Sequence, residues 1–435
     1  MIAQRHDSVI ARGAKRAVAI QLDCFGVLGT PRNDMTGVKQ SSGFALLITI
    51  VLLALLVLTV FCLSALTRVG TGISASGTYQ VQARQHALLA LSQAMDNLQR
   101  YASEDDVLTG MAGLTGISEG AGEAGRHWCG VWDRNGQFVR WLASGESGPV
   151  VPALTGTDAL ELVGSGSLGA DGADREHVRV LPVQVIVTTR DRTAVRLGGY
   201  AWWVGDEGVK LSLVLPNEKH GIDELVTLPP DAPLLANVLS YEQASWIPTT
   251  VSQAVLAGQL RTNFHVLGRT HLGLVGATLV SGRLNINSSS ARYWRGVAAT
   301  YNRLKPPSGP SITPAAFGTW MRDHVTLADP GAGKAAGQPY LSVDLFLGST
   351  ALAGALGADS DALLAFAGAM RSWLTVRSDT FRVRAYGESA NPSDGAKVES
   401  VAWCEAIVQR IKDDPGVTRG RYIVTFFRWL GPDDL

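Results

Sequence analysis

The longest hydrophobic segment of the chain begins at Phe44 and ends at Leu66, and no charged residue occurs from Ser41 to Thr67. This segment exceeds the roughly 20 residues that a helix needs to cross a bilayer. A buried core helix is the alternative, but it rarely carries apolar side chains on every side over such a length. A cleaved secretory signal would have a shorter apolar region, typically about 7–15 residues. The pattern therefore predicts a membrane-spanning helix over residues 44–66.

After this segment the hydrophobic pattern becomes that of an amphipathic helix. Apolar residues recur at spacings of three and four, at Ala87, Leu88, Leu91, Ala94, Met95, Leu98 and Tyr101. Such a stripe predicts a helix that packs one face against a protein core. Gly70, Gly72 and Gly77 interrupt the join, and each costs about 1 kcal/mol relative to Ala in a helix. We therefore expect a bend or a melted stretch there, within one helical segment over residues 44–103.

Strand patterns follow in two separate regions of the chain. In the first region, Trp128–Trp132 and Gln137–Trp141 flank the sequence Asp-Arg-Asn-Gly at 133–136, and Asn-Gly is a signal for a tight hairpin turn. The other predicted strands are His177–Thr189, Arg196–Val204 and Val209–Leu215, and in the second region Thr380–Tyr386, Lys397–Arg410 and Arg421–Trp429.

The region between these two sets of strands has a different character. It is punctuated by proline and contains the helical patterns Tyr241–Leu260, Ala291–Leu304 and Asp359–Leu374. The predicted fold class is α+β, with a long N-terminal membrane-spanning helix and an antiparallel-sheet domain split by a mostly helical insert. The predicted parts are a leader at 1–43, the helix at 44–103, a β-rich part at 104–228, the insert at 229–374 and a β-rich C-terminal part at 375–435.

Composition excludes several classes of function. Lys and Arg together number 38, as do Asp and Glu, so no basic excess indicates a nucleic-acid partner. The four cysteines, Cys24, Cys62, Cys129 and Cys404, are too far apart for metal-ligand spacing, so neither a zinc site nor a cofactor is expected.

No motif predicts catalytic residues. The eight histidines include no HExxH motif, and the GxSxG string at 116–120 and the GxGxxG string at 164–169 lack the strand and helix context that those motifs require. Asp206 and Glu207 are interpreted as a solvated hairpin tip. Asn285 and Asn287 either line one face of a strand or loop or cap a helix beginning near Ser289, and we favour capping.

The residues before the hydrophobic segment form a short polar leader. It reads Met-Thr-Gly-Val-Lys-Gln-Ser-Ser-Gly from Met35 to Gly43, and Phe44 follows at once. This junction resembles that of type IV pilins and pseudopilins. The resemblance implies that a prepilin peptidase cuts between Gly43 and Phe44 and methylates Phe44. A leader that starts at Met35 fits this class best, so residues 1–34 are interpreted as untranslated sequence, with a regulatory extension as the alternative.

One position departs from the pilin pattern. Pilins usually have Glu as the fifth residue of the mature chain, where it is thought to pair with the N-terminal amine of a neighbouring subunit, and here that residue is Ile48. Because an unpaired buried amine is costly, the departure favours a minor or tip subunit. Minor pseudopilins of the K class also lack this Glu.

A closer resemblance rests on several stretches together. These are GFALLITIVLLALL at 43–56, YAWWVGDEGVK at 200–210, GRLNINSSS at 282–290 with Trp294 and Arg295, AWCEA at 402–406 and FFRWL at 426–430. From about residue 36 onward the chain resembles the Verru_Chthon cassette protein A family, which implies a pilin-like exported protein. The Asn285 to Ser288 stretch is also similar to a segment of K-class pseudopilins.

The predicted function is that of a minor pseudopilin-like, non-enzymatic subunit of a type IV pilus or type II secretion-like assembly. Its expected partners are other pilin-like subunits, prepilin peptidase and membrane lipid. It is expected to cross the cytoplasmic membrane once, with its C-terminal domain exported. The alternative is an exported enzyme or glycan-binding protein that uses the helix only as an anchor.

Two cysteines remain in the predicted exported domain. Cys62 lies in the membrane segment and Cys24 before the cut, which leaves Cys129 and Cys404. An oxidising compartment permits a disulfide between them, and two buried free thiols are the alternative.

Overall fold

The computed structural model describes residues 42–116, 126–146, 148–151, 154, 159–169, 176–212, 264–265, 267–268, 272–275, 277–281 and 283–435. The predicted leader therefore lies outside the described residues except for Ser42 and Gly43. The chain divides into two compact units, residues 1–68 and residues 69–435.

The helices and strands of the described residues follow in chain order. The α-helices are α1 (Ser42–Tyr101), α2 (Ser165–Leu168), α3 (Ala291–Leu304), α4 (Pro314–His324), α5 (Val343–Leu347), α6 (Thr350–Ala355) and α7 (Ser360–Met370). The strands are β1 (Leu108–Met111), β2 (Cys129–Trp132), β3 (Phe138–Trp141), β4 (Leu160–Val163), β5 (Val178–Val180), β6 (Val183–Thr188), β7 (Ala194–Asp206), β8 (Leu211–Ser212), β9 (Leu267–Gly268), β10 (Leu272–Val275), β11 (Thr278–Ser281), β12 (Leu284–Asn285), β13 (Leu374–Thr375), β14 (Thr380–Asn391), β15 (Asp394–Ile411) and β16 (Arg421–Leu430). Short 3-10 helices occupy Ala112–Thr115, Pro330–Ala332, Arg371–Trp373 and Pro432–Asp434.

In the first unit, the described residues form the N-terminal part of α1. All its large apolar side chains from Phe44 to Leu66 are exposed, between 42% for Ile48 and 73% for Phe61. The apolar side chains of this stretch are therefore exposed on every side of the helix, unlike those of the core helix of a soluble domain. Among the described residues, α1 is the helix that is long and apolar enough to cross a membrane.

In the second unit, α1 continues as regular helix through Gly70, Gly72 and Gly77. The predicted melted stretch is therefore wrong. A Cβ atom added at any of these three glycines would meet no other group within 4 Å, so none of them is required by close packing.

A five-stranded antiparallel sheet forms the centre of the second unit, in the order β16-β15-β14-β7-β6. Strand β14 pairs with β7 on one side and β15 on the other, so that Ala385 lies opposite both Trp202 and Cys404. Because β7 ends at Asp206 and β14 begins at Thr380, the sheet is split in sequence, as predicted.

One face of this sheet packs against α1. The small side chains of Ala83, Ala87, Ala90 and Ala94 are completely buried there, and they join one core with residues of alternate positions on β7, β14 and β15, namely Trp202, Val204, Phe381, Val383, Ala385, Ala402, Cys404 and Ala406. The predicted stripe is confirmed in part. Leu88 is 42% exposed instead, because the row of alanines, which lets the helix approach closely, is the face that meets the sheet.

A layer of tryptophans covers the other face. Trp128, Trp132, Trp141 and Trp203 are fully buried in a second core cluster with Tyr386. Trp132 and Trp141 lie in the antiparallel sheet β1-β2-β3, and Trp128 directly precedes β2. The predicted β2–β3 hairpin of this sheet is confirmed. Its turn is built by Asp133, whose Oδ1 accepts hydrogen bonds from the backbone N–H groups of Asn135 and Gln137, and by Gly136 at φ +76°.

One predicted strand, His177–Thr189, is two strands in the structure. Strand β5 ends at Val180 and β6 begins at Val183, and they belong to different sheets. Pro182 lies between them, and proline interrupts strand pairing because it has no backbone N–H.

Helices α3 to α7 surround a third core cluster that contains Trp294, Phe317, Phe346 and Phe366. The predicted helix at Ala291–Leu304 is confirmed as α3. The pattern at Asp359–Leu374 forms α7, a 3-10 turn and the start of β13. The predicted helix at Tyr241–Leu260 lies outside the described residues, so the helical character of the whole insert stays a prediction.

Candidate functional site

The predicted processing junction lies in the first turn of α1. The helix begins at Ser42, so Gly43 is already helical, and the Phe44 side chain is 66% exposed. The first turn contains no acidic residue. Thr49, next to Ile48, donates its hydroxyl hydrogen to the carbonyl oxygen of Leu46 at 2.8 Å, so this polar group is satisfied within the helix. Cleavage between Gly43 and Phe44 stays a prediction.

Asp206 and Glu207 are buried at the end of β7, with exposed fractions of 4% and 1%. The interpretation as a solvated hairpin tip is therefore wrong. The backbone N–H of Glu207 donates to the carbonyl of Thr380 at 3.1 Å, which keeps this turn against the start of β14. The Asp206 carboxylate accepts hydrogen bonds from the Gly208 N–H at 2.8 Å and the Thr109 hydroxyl at 3.2 Å. Burial outweighs these bonds and raises the pKa of Asp206 to about 6.

Glu207 begins a cluster of buried ion pairs. Its carboxylate contacts the ammonium of Lys210 at 2.7 Å and the guanidinium of Arg382 at 2.9 Å. Burial alone would raise the pKa of Glu207, but the charges of Arg382 and Lys210 reverse this effect and lower it to about 2. Burial lowers the pKa of Lys210 to about 8, against the opposing charge of Glu207.

Glu405 on β15 is the second carboxylate of this cluster and is completely buried. It contacts the guanidinium groups of Arg382 at 3.2 Å, Arg384 at 3.0 Å and Arg428 at 3.1 Å. The ring of Phe264 lies 4.9–5.0 Å from the cationic groups of Lys210, Arg382 and Arg384, which adds cation–π attraction. We call Glu207, Lys210, Arg382, Arg384, Glu405 and Arg428 the charged cluster.

The position of the charged cluster follows from strand alternation. Phe381, Val383 and Ala385 face α1, so Arg382 and Arg384 between them face the tryptophan side. A buried pair contributes little net stability but is costly to break. Each carboxylate of the cluster contacts at least two cations, so the cluster links the end of β7 to β14, β15 and β16.

A second polar group lies beside the charged cluster. The Nε2 atom of His127 is 2.8 Å from Glu176 Oε2, and the Nε2 atom of His265 is 2.7 Å from the Glu176 carbonyl oxygen. The two imidazole rings are stacked, with centroids 3.5 Å apart and planes at 3°. One ligating atom from each of the three side chains lies within 4.8 Å of the others. These three residues can therefore hold a metal ion.

Burial is the main cause of the low pKa values of both histidines. It lowers the pKa of His127 although Glu176 opposes it, and it lowers the pKa of His265 well below the usual value, with further contributions from His127 and Lys210. The His127 Nδ1 atom is buried and has no hydrogen-bond partner among the described residues. An unsatisfied buried polar atom typically costs about 1–3 kcal/mol.

Sequence reasoning missed the group of His127, Glu176 and His265, which we call the histidine group. Glu176 lies 49 residues from His127 and 89 from His265, and metal-binding motifs are recognised by short spacing. The available signal was that these residues lie just before strands: His127 precedes β2 and Glu176 precedes β5.

Asn285 and Asn287 connect segments and do not cap a helix. Ser290 caps α3, because its side chain accepts from the N–H of Tyr293. The Asn285 amide donates to the Thr109 hydroxyl at 2.9 Å and the Ser378 hydroxyl at 2.9 Å, and Asn287 accepts from the Tyr340 N–H at 2.8 Å. The preference for capping is therefore wrong.

Neither Gly-rich string forms a site in the described residues. Most of the GxSxG string at 116–120 lies outside them. In the GxGxxG string, β4 is followed by the single turn α2, and a Cβ on Gly166 would overlap the backbone of Asp433 and Leu435. This glycine therefore allows contact with the C-terminal residues.

Cys129 and Cys404 are both buried free thiols in the α1 core cluster. Their strands, β2 and β15, belong to different sheets and do not pair. Burial raises the pKa of both thiols. The disulfide between them stays a prediction.

No model of a known protein family matches the chain, and neither the curated proteins nor the solved structures contain a significant match.

Proposed function

We propose that the chain is a minor pseudopilin-like, non-enzymatic subunit of a type IV pilus or type II secretion-like assembly. In this proposal prepilin peptidase removes the leader after Gly43, and the mature chain begins with methylated Phe44. The observation that carries it is α1 itself. One stretch of this helix, from Phe44 to Leu66, is apolar and exposed, and another, from Ala83 to Ala102, is buried against an antiparallel sheet.

Three further observations support this proposal. The leader ends in Gly43 directly before an apolar helix, as in pilins, and the chain resembles the Verru_Chthon cassette protein A family from about residue 36 onward. Ile48 replaces the Glu of repeating filament subunits, which favours a minor or tip position. The proposed arrangement has residues 44–66 in the cytoplasmic membrane, an exported domain with a mostly helical insert at 229–374, and other pilin-like subunits as partners.

An exported enzyme or glycan-binding protein on a membrane anchor is the second candidate. Buried titratable groups with shifted pKa values, here Asp206, Lys210, His127 and His265, favour it, because such groups are concentrated at functional sites. A plain anchor needs no processing after Gly43, so the mature N-terminus distinguishes the two candidates.

The proposal is tested by mass spectrometry of the full chain expressed with a prepilin peptidase. We expect a mature protein that starts at methylated Phe44, and a Gly43→Val variant that keeps its leader. Gly70→Val is the matched control, because Gly70 lies in the same helix with nothing within 4 Å of an added Cβ, and it should be processed like the wild type. Trimming of Gly43→Val to the wild-type size, or a wild type that starts at Met1 or Met35, would contradict the proposal.

A further inference from the structure

The histidine group joins three segments that are far apart in sequence. Each of its residues lies two positions before a strand: His127 before β2, Glu176 before β5 and His265 before β9. From this geometry we propose that His127, His265 and Glu176 bind one Zn²⁺ ion. The proposal does not depend on the proposed function, since an assembly subunit and an anchored enzyme could each contain such a site.

The ligand set has the chemistry that zinc prefers. Two imidazole nitrogens and one carboxylate oxygen are a known three-ligand set for Zn²⁺, with a fourth position taken by water or another ligand. Imidazole also discriminates against Mg²⁺ and Ca²⁺, which prefer oxygen ligands. A small cavity beside the two histidines, lined among others by His127, His265, Asp206 and Lys210, is the place where a water molecule could serve as the fourth ligand.

The unpartnered atom of His127 is the second observation. Its Nε2 faces the Glu176 carboxylate, and its buried Nδ1 has no hydrogen-bond partner among the described residues. For Nε2 to bind a metal ion, the ring hydrogen has to move to Nδ1, and metal ligation then replaces the hydrogen bond from Nε2 to Glu176. Metal ligation needs this neutral imidazole with an available lone pair.

Zinc binding requires a small local rearrangement. Bonds of 2.0–2.2 Å in a tetrahedral site place neighbouring ligand atoms about 3.4 Å apart, whereas His127 Nε2 and Glu176 Oε2 are 2.8 Å apart. The stacked rings must tilt so that their nitrogens converge. The guanidinium of Arg126 lies 3.9 Å from the other carboxylate oxygen of Glu176, so it competes with the ion for this carboxylate.

The test uses tag-free, full-length protein in detergent, stripped with a chelator and then titrated with Zn²⁺ alone against a competing chelator. We expect about one bound zinc per chain, as for a single mononuclear site. His127→Gln, His265→Gln and Glu176→Gln should each weaken binding by more than about 100-fold, since loss of an outer-shell partner alone costs roughly 10–100-fold. His177→Gln is the matched control, because His177 also contacts a carboxylate, Glu161, at 2.7 Å, and it should bind zinc like the wild type.

X-ray absorption at the zinc edge of the loaded wild type gives a second measurement that needs no variant. Two imidazole ligands and oxygen, without sulfur, are expected. A sulfur ligand would implicate Cys129, which also lines the cavity, and would overturn the assignment. No stoichiometric zinc in the wild type, or unchanged zinc affinity in correctly folded His265→Gln, would overturn it as well.

Discussion

Single buried side chains set much of the electrostatics of this protein. Asp206 keeps a raised pKa although it accepts hydrogen bonds, whereas Glu207 beside it has a low pKa because two cations contact it. The pKa values of these two adjacent carboxylates are therefore shifted in opposite directions. The cause is the partner set of each residue, since both are buried.

We predict that Asp206 makes the protein less stable as pH rises from about 4 to 6. Its pKa is 3.8 in the unfolded chain and about 6 in the fold, so its stabilising contribution is fully present below pH 3.8 and is lost through pH 6. The loss amounts to roughly 3 kcal/mol, since one pKa unit corresponds to about 1.4 kcal/mol. In urea unfolding, the free energy of unfolding of the wild type relative to that of Asp206→Asn should fall between pH 4 and 7, since the buried histidines contribute equally to both proteins.

Asp413→Asn is the control for this experiment. Asp413 is an exposed carboxylate that pairs with Arg421 at 3.0 Å, and its variant should show the pH dependence of the wild type between pH 4 and 6. An Asp206→Asn variant with the same pH dependence as the wild type would contradict the prediction.

The second prediction at this scale is the disulfide between Cys129 and Cys404. In an oxidising compartment the bond would close a long loop and contribute about 4–5 kcal/mol in the chain-entropy model. The alternative is two buried thiols that act as small apolar residues, which is how the structure describes them. Thiol labelling of denatured, unreduced protein from the exporting cell decides between them. Cys62 is the internal control, and full labelling of Cys129 and Cys404 would exclude the bond.

At the scale of elements, the close contact between α1 and β14 is decisive for the core. A Cβ atom on Gly387 would overlap the backbone of Ala83 and Ala87. Glycine is therefore required at this position of the strand. This requirement does not depend on polarity, so a hydrophobic pattern alone does not show it.

We predict that Gly387→Ala destabilises the second unit by about 1–3 kcal/mol, as overpacking of a core typically does. The groups that it meets are backbone atoms, so α1 has to move away from the sheet. Gly368→Ala in α7 is the matched control, because nothing lies within 4 Å of its added Cβ, and it should gain up to about 1 kcal/mol from helix propensity. Thermal unfolding and limited proteolysis of α1 measure both variants, and an unfolding midpoint of Gly387→Ala at or above the wild type would contradict the prediction.

At the scale of the whole molecule, the basic residues that flank the apolar segment bear on its orientation in the membrane. Lys39 precedes the apolar segment, and Arg68 and Arg84 follow it. Basic residues on the cytoplasmic flank set the orientation of a membrane helix, and the bias here is slight. The pilin resemblance therefore carries the expectation that residues 68–435 lie outside the cytoplasm.

This orientation predicts the outcome of two reporter fusions placed after Leu435. An enzyme reporter that is active only outside the cytoplasm should give signal, and a fluorescent reporter that matures only in the cytoplasm should stay dark. Each fusion controls for the expression of the other. The reverse result from stably expressed fusions would mean that the domain is cytoplasmic.

Several elements of this protein were determined by sequence alone. The exposed apolar part of α1, the β2–β3 hairpin, helix α3 and strands β14 to β16 were all predictable. Each depends on neighbours within a few residues, through side-chain period and turn chemistry, so a local pattern is sufficient to indicate it.

The tertiary structure decided which polar residues are buried and which of them meet. Asp206 and Glu207 look like a turn in the sequence, yet Glu207 pairs with Arg382, 175 residues away. His127, Glu176 and His265 show no motif until the fold brings them together. Burial and pairing depend on long-range packing, because a side chain loses water only when distant segments cover it. A local pattern contains no information about those segments, so the charged cluster and the proposed zinc site could be recognised only in the folded chain.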